Sequence, residues 1–138
     1  MFVKQLTIFV ENKFGRIADI LETLSKNHID IRALSIADTT EYGLMRMIVS
    51  DPDSAKTLLR EAGVVVKITD AIAVPLDHTP GGLSHVMEIL RAGGISVSYL
   101  YAFVGMYGTD AVVVMKTDKP EETVMLLSQN GIKPLGNV

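Results

Sequence analysis

Residues 6–24, Leu6-Thr7-Ile8-Phe9-Val10-Glu11-Asn12-Lys13-Phe14-Gly15-Arg16-Ile17-Ala18-Asp19-Ile20-Leu21-Glu22-Thr23-Leu24, change period in mid-course. Leu6, Ile8 and Val10 alternate with polar or exposed-type positions, as in a strand with one face on a core. Ile17, Ile20, Leu21 and Leu24 then follow the i, i+3, i+4, i+7 spacing of an amphipathic helix. The same change of period returns 66 positions later, where Ile72, Val74 and Leu76 precede Gly81 and then Leu83, Val86, Met87 and Leu90. Ile29, Ile31 and Leu34 likewise fall on Ile95, Val97 and Leu100. Past an insertion near Gly105–Gly108 the offset becomes 68, and Leu58, Leu59 and Gly63 fall on Leu126, Leu127 and Gly131. Order, residue type and glycine position preserved together mark an internal duplication.

The rest of each repeat follows from the same periods. Ile29–Ala37 and Leu44–Ser50 are β-type runs joined by the polar turn 38–43. Asp51-Pro52 opens a second helix with Ala55, Leu58, Leu59 and Ala62 inward, and Gly63 ends it before the short strand Val64-Val65-Val66. In the second repeat Asp118-Lys119-Pro120 does the same. Strand, helix, strand, strand, helix, strand, occurring twice, predicts an α+β protein of two ferredoxin-like βαββαβ repeats, residues 1–69 and 70–138. Each should form a four-stranded antiparallel sheet with its helices on one face. Repeats this small are marginal alone, so the two are expected to be packed together across a shared interface.

Composition removes whole classes of function. Thirteen Lys and Arg against sixteen Asp and Glu give a formal charge of −3, which does not supply the basic stripe of a nucleic-acid binder. The chain has no Cys, and so no disulfide, thiolate metal site or Cys nucleophile. No apolar run approaches the roughly 20 residues of a spanning helix. Residues 1–10 alternate instead of forming a signal-peptide core, so a cytoplasmic protein with no membrane partner is expected.

No GxGxxG or GxxxxGK[ST] loop is present. The middle strands lack the aromatics with which RNA-recognition modules of this fold stack bases. Gly105-Met106-Tyr107-Gly108 lies between strands and reads as a turn. His28, His78 and His85 have no coherent metal-ligand spacing, and the acids Asp51, Asp53, Glu121 and Glu122 sit at helix starts, where the macrodipole explains them. No nucleophile, base and orienter assemble. No enzyme, catalytic residue, metal or cofactor is expected.

The informative segment is the turn before the first helix of each repeat: Glu11-Asn12-Lys13-Phe14-Gly15-Arg16-Ile17 and Asp77-His78-Thr79-Pro80-Gly81-Gly82-Leu83. A helix N-terminus offers unpaired N–H groups to a carboxylate. Glycine admits a ligand close to the backbone, Asn12 or His78 could orient it, and Glu11 or Asp77 could receive an ammonium. An α-amino acid carries both charges. The alternative is purely structural, with Gly easing the turn, Thr79 capping the helix and Pro80 at its first position.

Pro80-Gly81-Gly82-Leu83, and Asn12 with Gly15-Arg16-Ile17, resemble the turn motif of the ACT-domain family, amino-acid-sensing regulatory modules of ferredoxin-like fold. The resemblance covers nearly the whole chain as two tandem copies. Phe14 replaces the usual Pro and His78 the usual Asn or Asp, so the two sites need not bind equally. The resemblance implies a ligand held where the turn of one module meets the second-strand edge of another. On this chain that edge is Leu34-Ser35-Ile36 and Leu100-Tyr101-Ala102, with Leu34 and Leu100 equally explicable as core. The row Tyr99, Tyr101 and Phe103 lines a pocket or seals an interface.

The expected protein binds a free amino acid and reports its level through a regulated partner protein or through self-association as a homo-oligomer. The alternative is a ligand-free assembly module that docks on an enzyme by its sheet edges. Because Glu11 and Asp77 disfavour an acidic side chain, histidine, aromatic and small neutral amino acids rank above aspartate and glutamate.

Overall fold

The computed structural model of the chain describes residues 1–11, 13–38, 42–105, 108 and 110–138. Asn12 of the expected site, most of the 38–43 turn and the centre of the Gly105–Gly108 element lie outside the described residues. The chain divides into two compact units. The first is Lys4–Asp70 with Val138, and the second Ala71–Asn137 with Met1–Val3.

The first unit contains β1 (Val3–Glu11), α1 (Arg16–Lys26), β2 (Ile31–Asp38), β3 (Tyr42–Val49), α2 (Pro52–Glu61) and the first half of β4 (Val65–Leu76). Its strands lie in the order β2-β3-β1-β4, with β3 antiparallel to both β1 and β2. The alternation read in the sequence sends Leu6, Ile8 and Val10 of β1 and Met45, Met47 and Val49 of β3 to one face. There Ile20 and Leu24 of α1 and Ala55 and Leu59 of α2 cover them in one buried core. Burying such side chains contributes about 1.5–3 kcal/mol each. On the opposite face of β1, Gln5 and Thr7 are buried and hydrogen-bond to Thr69 of β4.

The second unit repeats the plan with the second half of β4, α3 (Gly82–Ala92), β5 (Val97–Ala102), β6 (Ala111–Thr117) and α4 (Pro120–Gln129). β6 pairs antiparallel with β4 and β5. Its core joins Ile72, Val74, Val86, Leu90, Ile95, Val113, Met115 and Leu127, the residues that offsets of 66 and 68 derive from the first core. A register shift interrupts β2 between Ile31 and Ala33 and β5 between Val97 and Tyr99, at equivalent places. The α+β, ferredoxin-like architecture is as expected.

The strand count is a correction: six strands stand where eight were expected. Val64–Val66 and the strand at 72–76 are not separate, because Lys67-Ile68-Thr69-Asp70 contains no Gly or Pro to break extension. The two runs merge into the single β4 of twelve residues. At the C-terminus the last expected strand is reduced to one bridge between Ala73 and Leu135. Pro134 precedes Leu135, and proline contributes no backbone donor to a ladder.

Candidate functional site

Each strand-to-helix turn is centred on a glycine in the left-handed region: Gly15 at φ 77°, ψ 0° and Gly81 at φ 90°, ψ −5°. A Cβ at either would meet no atom, so conformation and not crowding selects glycine there. Both glycines are N-caps whose carbonyls accept the first helical bond, from Asp19 N–H at 3.0 Å and from His85 N–H at 2.9 Å. Neither helix has a side-chain cap. The expectation that Thr79 caps α3 with Pro80 as its first residue is therefore corrected. Pro80 precedes the cap, and Thr79 contributes its backbone carbonyl, which accepts from Gly82 N–H at 3.0 Å. By helix geometry the amides of Leu83 and Ser84 have no intrahelical acceptor.

The turns differ in their side chains. In the first, the Lys13 ammonium lies 2.8 Å from the Glu11 carboxylate, with both side chains exposed. Hydrogen bonding and charge from Lys13 hold the Glu11 carboxyl below the usual carboxylate range. Glu11 is thus engaged locally. Phe14 is fully exposed, Ile17 is also exposed, and Arg16 is half-buried. In the second, a Cβ on Gly82 would collide with the Asp77 carbonyl oxygen, a close backbone approach that only glycine permits.

That approach borders a pocket of ≈ 470 Å³ lined by Asp77, Thr79, Pro80, Gly81 and Gly82 from the turn. Pro75 and Leu76 of β4, His85 and Val86 of α3, Asp110, and Gly131-Ile132-Lys133 complete it. The volume is within the range of about 300–1,000 Å³ typical of small-ligand sites. Five of the seven expected turn residues meet there, while His78 and Leu83 are not in the lining. Leu83 packs against the core instead.

The proposed edge residues are not in that pocket either. Leu34 packs partly against the first core, Ser35 is half-buried, and Ile36 is exposed. Leu100 and Ala102 are exposed, whereas Tyr101 is buried and stacks on Tyr99 with ring centroids 6.4 Å apart. Among the described residues no group of three or more His, Cys, Asp or Glu is arranged to hold a metal ion. No described helix is long and apolar enough to cross a membrane.

A family model described as an ACT domain pair matches residues 1–134. The chain belongs to the ACT-domain family. The structure of protein BT0572 from Bacteroides thetaiotaomicron is 35% identical, with a TM-score of 0.90, covering 98% of this chain and 92% of that one. The ligand-free regulatory subunit of aspartate kinase from Thermus thermophilus is 12% identical, with a TM-score of 0.62 and 91% of each chain covered. A structure of aspartokinase alpha and beta subunits is 16% identical, with a TM-score of 0.56, covering 93% of this chain and 95% of that one. The last two likenesses are of fold. No curated protein matches the chain significantly.

ACT domains are regulatory modules that bind amino acids. In this ACT pair, sequence reasoning missed Asp110 and Lys133 and valued His85 only as a weak metal candidate. A signal for Asp110 existed. The offset of 68 aligns it with Tyr42, which pairs with Glu11, so the place opposite each acidic turn residue could have been read from the duplication.

Proposed function

We propose that this ACT pair binds a free α-amino acid at the turns preceding α1 and α3 and conveys its level to a regulated protein or through self-association. The pocket at Asp77–Gly82 carries the reading. It combines a helix N-terminus for the carboxylate, a carboxylate for the ammonium, and a backbone that Gly82 brings close. The ACT units of the proposal follow the duplication, with the boundary inside β4 near residues 69–70. Leu34–Ile36 and Leu100–Ala102 are the strand edges at which a second module would complete a site. The ligand ranking puts acidic amino acids last.

A thermal-shift screen of the intact chain against the twenty amino acids tests the reading. A ligand at 100 times its Kd stabilises the protein by about 2.7 kcal/mol, a rise of several degrees. A screen in which no amino acid moves the melting temperature leaves the assembly reading, in which the outer strands β2 and β5 dock on a partner.

A further inference from the structure

The pocket at the second turn gathers four ionisable side chains from four segments: Asp77, His85, Asp110 and Lys133. β4 and β6 run antiparallel, and Leu76 opposite Ala111 is their last pair. One step beyond stand Asp77 and Asp110, two carboxylates at facing ends of the same ladder. Facing residues in such a ladder have Cβ atoms about 5 Å apart, and like charges there repel. Among the described residues neither carboxylate takes part in an ion pair. In the first unit the corresponding acid, Glu11, faces Tyr42 and is neutralised by Lys13. The uncompensated pair belongs to the second unit alone.

Two carboxylates repelling each other on the wall of a small-ligand pocket are relieved by a bound cation. With no third ligand arranged for a metal among the described residues, an organic cation fits the chemistry better. With the imidazole counted neutral, the two carboxylates and Lys133 leave the lining with one net negative charge. A neutral zwitterion leaves that charge in place, an acidic amino acid adds to it, and a basic amino acid cancels it.

The geometry points to a cation receptor in which Asp77 and Asp110 together hold an ammonium or guanidinium group of a basic α-amino acid. The ligand's α-carboxylate then goes to Lys133 and to the amides of Leu83 and Ser84. The inference rests on the amino-acid reading above and narrows it for the second unit. It makes Asp110 a specificity-determining residue.

Calorimetric titration of the intact chain with L-arginine against near-isosteric L-citrulline, and with L-lysine against L-norleucine, tests it. At least one basic ligand should bind about tenfold or more tightly than its neutral counterpart, the charge difference outweighing the shared shape. Asp110→Asn should weaken that ligand by a similar factor and at the same time raise the melting temperature of the unliganded protein. A merely structural Asp110 would not move the two readouts in opposite senses. Equal affinities within both pairs, or basic-ligand binding unchanged by Asp110→Asn, overturn the cation receptor and leave the amino-acid reading standing. Failure of all twenty amino acids to bind overturns both.

Discussion

At the turn into α1, Gly15 takes φ 77° and Arg16 follows it; at the turn into α3, Gly81 takes φ 90° and Gly82 follows it. The backbone device is the same and the walls around it are not. In the first turn the acid is satisfied locally by Lys13, and the tip presents a fully exposed Phe14. In the second the acid faces another acid, and Arg16, Asp19 and Val65 have given way to Gly82, His85 and Lys133. The duplication retained what the fold needs and altered what a ligand would touch. The same contrast runs inside the units: Thr117 and Thr123 are buried where the first unit has Val49 and Ala55.

The sharpest test of equal scaffolds is a pair of core truncations. Leu24 and Leu90 are equivalent and both at most 1% exposed. Leu24→Ala and Leu90→Ala should each cost about 2–5 kcal/mol, measured by urea denaturation. Costs differing by more than twofold would show that the shared pattern conceals unequal cores.

Next in size is the close approach at the second turn. Gly82→Ala forces a Cβ against the Asp77 carbonyl and should cost about 1–3 kcal/mol while lowering amino-acid affinity at that pocket. Arg16→Ala, at the equivalent first-turn position, should leave the backbone undisturbed because a Cβ is already accommodated there. Calorimetry and thermal melts on both variants check the contrast.

The buried threonines give a smaller effect of predictable sign. Their hydroxyls lie 2.8 Å apart, and Thr123 also bonds the Lys119 carbonyl. Thr123→Ala strands the Thr117 hydroxyl and should cost about 1–3 kcal/mol, whereas Thr117→Val with Thr123→Ala, which installs the first unit's pair, should be nearly neutral. A double variant as unstable as the single would break the equivalence of the two helix–strand contacts.

The smallest effect concerns the second helices. Asp51 caps α2, accepting from the Ser54 amide at 3.1 Å and the Ser54 hydroxyl at 2.7 Å, whereas Lys119 at the start of α4 provides no side-chain cap. The Ser54 hydroxyl and then its amide hold the Asp51 carboxyl below its ordinary range. Its contribution is therefore present above the unfolded-state pKa and lost as pH falls through the lower folded value. Asp51→Ala should lower the melting temperature at neutral pH, and the two proteins should converge in acid. Lys119→Ala should show no such convergence.

Much of this was legible in the chain because it is local. Alternation at Leu6, Ile8 and Val10, the helical spacing from Ile17 to Leu24, and their recurrence 66 residues later determine the elements, the duplication and both cores. The left-handed glycines at the two turns were legible for the same reason: backbone preference acts within a few residues. Whether 64–66 and 72–76 stay apart was not, because uninterrupted extension through Lys67–Asp70 is settled by strand pairing as much as by composition. The pocket wall was less legible still. Asp110 reaches Asp77 only through the β4–β6 register, and Lys133 arrives by the course of the chain after α4. A residue's own periodicity states which face it occupies but not which distant residue stands opposite. The charges that give the second turn its character were therefore decided by the tertiary structure.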